Sequence, residues 1–222
     1  MNFKGASPQV QSLCASARNK FLTTQKVEST PMKPTLFLVM DMMNDIVAED
    51  GFNANTYGVQ VKQRGVLNTT AKAIAAARAA GVKIAYVRVG FSSDYRECPP
   101  SSPIFSGARA NGIFQLGTKG TEVHPALAPQ SGDFDIVKHR VSPFYGTSLE
   151  PICRANGIER LVLCGVSTNG VVHSGARDAH DRDYEVVILE DCCAGVTADE
   201  HMHAVACLGR YARIAGSGEF DF

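Results

Sequence analysis

The segment "ERLVLCGVSTNGVVHSGARDAHDRDYEVVILEDCCA" (159–194) sets the fold class of this 222-residue chain. It begins with an apolar run (159–166), passes through a turn of small residues, continues with helical periodicity (170–183) and ends in a second apolar run (184–194). Apolar runs of this length are typical of strands that are buried on both faces of a parallel sheet. A strand, a helix and a strand in this order predict a parallel βαβ unit.

The same alternation runs through the rest of the chain. Further apolar runs predict strands at 35–41, 82–91 and 134–140, and helical patterns lie at 69–81, 147–158 and 198–213. This alternation predicts an α/β fold, a three-layer α/β/α sandwich with a doubly wound, mostly parallel sheet. Residues 1–33 are predicted to form a helical N-terminal extension, and 34–222 a single domain. The long loop at 92–117 has a length that is typical of functional loops.

Composition excludes several classes of function. Lys plus Arg and Asp plus Glu number 22 each with no long charged run, so nucleic-acid and membrane-surface binding are not expected. No apolar stretch approaches the ~20 residues of a transmembrane helix. The first 30 residues hold no apolar signal region, and the seven cysteines are irregularly spaced, which together predict a cytoplasmic chain with reduced thiols. No phosphate-binding loop follows the first strand, so we expect no nucleotide cofactor.

Polar residues at strand ends are the candidates for chemistry, because ligands of doubly wound sheets bind beyond the carboxyl ends of the strands. Asp41 ends the first strand and Lys138 lies near the end of the third, so both are expected to face one pocket. A lysine beside an aspartate in a half-dry pocket is a tuned acid–base pair. Taken singly, Asp41 is equally a helix cap and Lys138 a solvated charge. Arg88, on the second strand, is a weaker candidate that a salt bridge would also explain.

The turn "GVSTNG" (165–170) is the next candidate site. Backbone N–H groups at a helix N-terminus favour a carboxylate or a developing oxyanion, so Ser167 and Gly170 are predicted to contact substrate. Phe144, which follows Lys138 closely, is predicted to be a wall of the pocket. Thr147 is interpreted as a helix cap, with Glu150 completing a capping box.

These blocks resemble the isochorismatase-like hydrolases, also called the cysteine hydrolase superfamily. The resemblance rests on Asp41 in "LVMDMMND", Lys138 in "DIVKHRVSPFYGTSLE" and the block at 165–194, and it covers roughly residues 34–205. It implies a six-stranded parallel sheet, an Asp–Lys–Cys triad and a cis peptide at Val166–Ser167. It also implies a homo-oligomer, because many members of the family are dimers or tetramers.

The chain departs from the family pattern at the nucleophile. The family's amidases, such as nicotinamidases, carry a cysteine in a turn resembling "GVATNVCV", and that cysteine falls on Val171 here. Valine cannot attack a carbonyl. Cys164 lies inside a strand, and Cys192 and Cys193 follow a different strand, so none is an obvious substitute. The region 50–98 contains no histidine to match the metal-binding histidines of some nicotinamidases, so we expect no metal.

Several hypotheses explain the missing thiol. The resemblance to the isochorismatases proper implies cleavage of the vinyl ether of isochorismate to pyruvate and 2,3-dihydroxy-2,3-dihydrobenzoate, which needs an acid but no acyl-enzyme. The catalytic residues are then Asp41, as the general acid, and Lys138, which orients Asp41 and binds a substrate carboxylate. Arg88 is a weaker candidate for a second carboxylate contact, and Val171 makes room for the ring. The alternatives are another small-molecule hydrolase of the amide type, or a non-catalytic ligand-binding member. An amidase that uses another thiol is the least favoured.

The histidines are given ordinary roles. Four of the six, His173, His180, His201 and His203, lie on predicted helices at spacings that do not assemble a metal site, so surface or capping roles are expected for the last three. His173, two residues past the turn, is the exception that merits a test.

Overall fold

The computed structural model describes residues 33–222. The predicted N-terminal helix and nearly all of the predicted extension at 1–33 lie outside the described residues. Within them, five of the apolar runs are strands, as predicted, and a sixth strand follows near the carboxyl end. The strands are β1 Thr35–Met40, β2 Lys83–Val89, β3 Phe134–Lys138, β4 Arg160–Val166, β5 Glu185–Ala194 and β6 Arg213–Ala215.

The six strands form one parallel sheet with the order β3-β2-β1-β4-β5-β6. All six residues of β1 are buried, as expected of the central strand of a sheet that is covered on both faces. The predicted doubly wound α/β sheet with about six strands is therefore confirmed.

Helices connect the strands and flank the sheet. They are α1 Asn44–Val47, α2 Tyr57–Gln63, α3 Val66–Ala79, α4 Ala108–Asn111, α5 Leu149–Ala155, α6 His173–His180 and α7 Ala198–Leu208. Two 3-10 turns lie at Lys119–Thr121 and Pro125–Leu127. None of the helices within residues 33–222 combines the length and the apolar character that a bilayer span requires.

The prediction of a helix over 198–213 is wrong in its last part. α7 ends at Leu208, and the chain then turns and adds β6 to the edge of the sheet, where Val187 pairs with Arg213. Three residues are too few to show the alternation that identifies a strand in a sequence, and only their pairing with β5 makes them one.

The order of the strands fixes where the site lies. The chain winds outward from β1 to β2 and β3 on one side, and to β4, β5 and β6 on the other. β1 and β4 are therefore neighbours at the point where the winding reverses, and a crevice opens there beyond the strand ends. The register places Met40 beside Gly165 and Val89 beside Lys138, so the ends of four strands meet at this crevice.

Candidate active site

Asp41 follows β1 directly and is held by the end of β2. Its backbone lies in the left-handed region, with φ at 56°, and its N–H donates to the Val87 carbonyl at 2.7 Å. The carboxylate oxygen Oδ1 accepts from the Val89 N–H at 2.9 Å. The side chain is buried. These bonds hold the carboxylate at the crevice instead of at the start of the next helix, so Asp41 is not a helix cap.

Lys138, the last residue of β3, faces the same carboxylate. Its Nζ lies 2.8 Å from Asp41 Oδ2 and also donates to the Arg140 carbonyl at 3.0 Å. The side chain is only 2% exposed, which excludes the alternative of a solvated charge beside a turn. The structure thus brings Asp41 and Lys138 together as a buried, hydrogen-bonded ion pair.

Burial and pairing act on the Asp41 carboxyl in opposite directions. Burial raises the pKa of Asp41, because the charged form loses water, while the Lys138 ammonium and the Val89 N–H lower it by less. A carboxyl whose pKa is raised in this way holds a proton more readily than one in water. A buried carboxyl with a raised pKa at a cavity has the features of a general acid.

The turn after β4 forms the facing wall. A cis peptide joins Val166 to Ser167, and residues Thr168–Val172 form one wide helical turn that runs into α6. Val171, where the resemblance places the cysteine of the amidases, is buried with its side chain against the cavity. A Cβ added to Gly170 would lie 2.6 Å from Ser167 Oγ, so glycine leaves room for that hydroxyl.

A polar network holds this turn from behind. Thr168 Oγ1 lies 2.8 Å from His201 Nδ1, and His201 Nε2 lies 3.2 Å from Glu190 Oε2, which also binds Arg64 at 2.9 Å. Burial lowers the pKa of His201, so its imidazole is neutral, accepts from Thr168 and donates to Glu190. His201 is 2% exposed. The prediction of a surface or capping role for His201 is therefore wrong, because the side chain is buried and bonds Thr168 and Glu190 from two other parts of the chain.

The ion pair and the turn share one cavity of about 290 Å³. Sixteen residues line it, and ten of them are Val, Ile or Phe. Four of these apolar side chains come from the long loop at 92–117, which confirms that the loop contributes to the cavity. They are Ile104, Phe105, Ile113 and Phe114.

The loop is tied down at several points. Tyr95 donates its hydroxyl to the Ile113 carbonyl at 3.0 Å, and Arg109 donates to the Asp94 carbonyl at 3.0 Å. Arg140 reaches the loop from beyond β3 and donates to the Glu97 carbonyl at 2.9 Å. These bonds make the loop a built wall of the cavity.

Two predicted substrate contacts do not reach the cavity. Arg88 forms a two-pronged ion pair with Asp135 at 2.8 and 2.6 Å and donates to the Thr121 carbonyl at 2.6 Å. Phe144 is buried elsewhere, stacked on Tyr184. Successive side chains of a strand point to opposite faces of the sheet, so Arg88 points away from the face on which the next residue, Val89, lines the cavity. The predictions that Arg88 and Phe144 contact substrate in this cavity are therefore wrong.

Ser167, Gly170 and Val171 do line the cavity, beside Asp41 and Lys138. Thr147 Oγ1 accepts from the Leu149 N–H at 3.2 Å, but the residue at the cap position of α5 is Ser148, so Thr147 is not the predicted cap. The capping box does not form, because Glu150 pairs instead with Arg154 and Arg182. Sequence reasoning missed Asn53 and Tyr57, which reach the cavity from the segment around α2, and that segment carries no recognisable motif.

The cysteines among residues 33–222 do not supply a nucleophile to this cavity. Cys164 and Cys193 are fully buried in the sheet, and burial raises their thiol pKa values well above the ordinary range. Burial also raises the pKa of Cys192 to about 12. Of the cysteines in residues 33–222, none lines the cavity. The same residues contain no group of three His, Cys, Asp or Glu side chains that would hold a metal ion.

Comparison with known sequences identifies the family. The isochorismatase domain matches residues 35–217. The ureidoacrylate amidohydrolase RutB of Methylorubrum extorquens is 35% identical over 170 residues, which cover 71% of this chain and 68% of that protein. The uncharacterized isochorismatase family protein YecD of Escherichia coli O157:H7 is 37% identical over 154 residues, covering 68% of this chain and 77% of that protein.

Solved structures agree. The N-carbamoylsarcosine amidase of Thermoplasma acidophilum is 28% identical, with a TM-score of 0.65, over 86% of this chain and 100% of that one. An isochorismatase family protein of Desulfovibrio vulgaris superposes with a TM-score of 0.76 at 24% identity, over 84% of this chain and 96% of that one, and supports the fold. With the domain match and the identities to these relatives, the chain belongs to the isochorismatase family of hydrolases.

Proposed function

We propose that this chain hydrolyses a small molecule without a covalent intermediate, with Asp41 as the proton donor and water as the nucleophile. The observation that carries the proposal is Val171. The resemblance places the family's catalytic cysteine at this position, and Val171 lines a cavity that keeps the buried Asp41–Lys138 pair. The reaction this supports best is one that needs an acid and no thiol, the hydrolysis of an enol ether.

In the proposed hydrolysis, Asp41 acts first as an acid. Protonated Asp41 gives its proton to the terminal methylene carbon of the enol ether, which leaves an oxocarbenium ion. The Asp41 carboxylate then faces that positive charge, and Lys138 keeps the carboxylate in place at 2.8 Å. Water adds to the cation and returns a proton to Asp41. The hemiketal collapses to an alcohol and a carbonyl compound.

Isochorismate itself is a poor match to the cavity. It carries two carboxylates, and Lys138 is the single cation among the described residues that line the cavity. The predicted second cation, Arg88, is engaged by Asp135. The proposal therefore keeps the enol ether as the reacting bond and does not keep isochorismate as the preferred compound.

A second candidate is amide hydrolysis, and the comparisons favour it. The relatives include proteins named ureidoacrylate amidohydrolase and N-carbamoylsarcosine amidase. With valine at position 171, an amidase reaction here would use Asp41 as a general base for water in place of a thiol. The two candidates share Asp41 and differ in the bond that breaks.

One set of assays separates them. Pyruvate release from isochorismate is coupled to lactate dehydrogenase, acetaldehyde release from phenyl vinyl ether to alcohol dehydrogenase, and ammonia release from benzamide to glutamate dehydrogenase. Each is run on the wild type, Asp41→Asn and Val171→Cys. We expect enol-ether hydrolysis that is lost in Asp41→Asn and is not raised in Val171→Cys.

The other outcomes count against the proposal in distinct ways. Benzamide hydrolysis by the wild type would establish the second candidate instead. Benzamide hydrolysis by Val171→Cys alone would show an amidase scaffold that lacks only its thiol. A folded wild type that releases none of the three products would overturn the proposed chemistry.

A further inference from the structure

We propose that the cavity selects uncharged compounds with a single apolar ring and excludes carboxylates and ammonium ions of the same shape. This inference names the class of substrate for the site in which we propose hydrolysis, and it rests on that proposed function. It rests on the charges and the lining of the cavity, and binding tests it without turnover.

The charged side chains that line the cavity form a single ion pair. Asp41 and Lys138 are the charged residues among those that line it, and their atoms lie 2.8 Å apart. Both are buried, at 7% and 2% side-chain exposure, so when Asp41 is ionised the two charges cancel each other in a dry environment. An anion that recruits Lys138 leaves the Asp41 carboxylate without its partner. A cation that recruits Asp41 does the same to Lys138.

The neighbouring cations are already engaged. Arg88 is held by Asp135 and by the Thr121 carbonyl. Arg140 donates to the carbonyls of Glu97 and His139 at 2.9 and 2.6 Å. Neither lines the cavity, and neither can turn toward it without breaking these bonds.

The rest of the cavity wall is mostly apolar. Ten of the sixteen lining residues are Val, Ile or Phe, and two of these, Phe52 and Ile104, are 55% and 66% exposed at the accessible surface. Moving an ion from water to such a surface loses hydration without a compensating partner. An apolar ring gains from the same transfer. A volume of about 290 Å³ lies at the small end of ligand cavities and suits one ring.

Two neutral hydroxyls are available for orientation. Ser167 and Tyr57 line the cavity, and within residues 33–222 their hydroxyl groups make no hydrogen bond. A hydroxyl both donates and accepts, so it suits an ether, carbonyl or alcohol oxygen. These groups give an uncharged ring compound its polar contacts.

The test compares three ligands of nearly equal shape: benzyl alcohol, benzoate and benzylammonium. Their dissociation constants are measured by ligand-observed NMR titration on the full chain at constant ionic strength. We expect benzyl alcohol to bind on the order of tenfold to a hundredfold more tightly than either ion, the range that an unpaired buried polar group commands. Equal binding of benzoate, or no binding of benzyl alcohol, would overturn the inference.

A pair of variants ties the result to this cavity. Ile104→Arg adds a cation where the side chain is largely exposed, so the fold tolerates it, and Ile104→Gln adds polarity without charge. We expect benzoate to gain affinity in Ile104→Arg and not in Ile104→Gln. An identical benzoate affinity in both variants would show that charge at the cavity does not govern selection. Every measurement here is of binding, so the selectivity of the cavity can be determined even if the hydrolysis assays detect no product.

Discussion

At the scale of single residues, Asp41 and Lys138 are the charged pair of the cavity. Their sequence positions at two strand ends predicted that they meet, because parallel strands end at one edge of the sheet. The structure places their atoms 2.8 Å apart. Their catalytic roles are a proposal, and the following variants test them.

Replacement of Asp41 by Asn removes the proton donor and keeps an oxygen that accepts the Val89 N–H. We expect turnover to fall by ~10²- to 10⁴-fold, the usual worth of general acid catalysis. Asp135→Asn is the control, because Asp135 is an aspartate of β3 that pairs with an arginine, is 58% exposed and does not line the cavity. Initial rates and circular dichroism of both variants provide the measurement. Equal loss in both would deny Asp41 a special role.

The same substitution also acts on stability, and a double variant separates the two effects. Asp41→Asn leaves the Lys138 ammonium buried without a carboxylate, which costs about 3–5 kcal/mol. Asp41→Asn with Lys138→Met removes that charge, so we expect it to recover part of the free energy of unfolding in urea titrations. Turnover stays low in the double variant if Asp41 donates the proton. Recovery of turnover together with stability would mark the pair as structural.

The pH dependence follows from the raised pKa of Asp41, which burial causes. The folded chain holds this proton more tightly than the unfolded chain does. The stabilisation from this group is therefore present below the ordinary carboxyl pKa and is lost as pH rises through the folded value. We expect kcat/KM to fall along the same limb, since only protonated Asp41 acts as the acid. A pH profile that is flat, or that keeps its limb in Asp41→Asn, would contradict this assignment.

At the scale of elements, the turn after β4 and the first residues of α7 act together. The turn carries Ser167 and Val171 into the cavity, and His201 on α7 holds it through Thr168. A sequence shows that a turn of small residues is present. It does not show that a histidine 33 residues later in the chain lies behind it.

Thr168→Val tests this link, because valine keeps the shape of threonine and removes its hydroxyl. The Nδ1 of His201 is then buried without a donor, which costs about 1–3 kcal/mol. Thr168→Ser keeps the hydroxyl and is the control, with a loss of about 1 kcal/mol for the buried methyl group. Urea titrations give the two values. A larger loss in Thr168→Ser than in Thr168→Val would show that packing, and not the hydrogen bond, holds the turn.

At the scale of the whole molecule, the fold was largely predictable and the sheet edge was not. Long apolar runs such as 35–41 identify buried strands on their own, because burial on both faces leaves no polar positions. The short strand at 213–215 lacks such a signal and exists through its pairing with β5. The helix at 66–79 also begins earlier than predicted, after Gly65.

Alkylation of the whole chain tests the absence of a thiol mechanism. Cys207 is exposed. Cys98 is half-buried and does not line the cavity, although its thiol donates to the carbonyl of the lining residue Phe105 at 3.2 Å. We expect iodoacetamide to modify Cys207, as seen by mass spectrometry, and to leave turnover unchanged. The Cys98→Ser and Cys207→Ser double variant is the control. Rapid inactivation that persists in this variant would point to another thiol in the reaction.

The resemblance to the family also predicts a homo-oligomer, and the surface is compatible with one. Phe52, Ile104, Tyr145 and Met202 expose more than half of their surface. Burial of such side chains between copies is favourable. We expect light scattering behind size exclusion to give a mass of two or four times 23.8 kDa. A monomer mass at micromolar concentration would reject this prediction.

The sequence by itself determined the parallel α/β sheet, the strand ends that carry Asp41 and Lys138, and the valine in place of a thiol. These follow from local patterns, because burial, helix periodicity and residue identity are written along the chain. Only the tertiary structure decided that Arg88 forms an ion pair with Asp135, that His201 is buried, and that the cavity wall is apolar. Such features depend on which distant segments meet, and that is set by the packing of the whole chain.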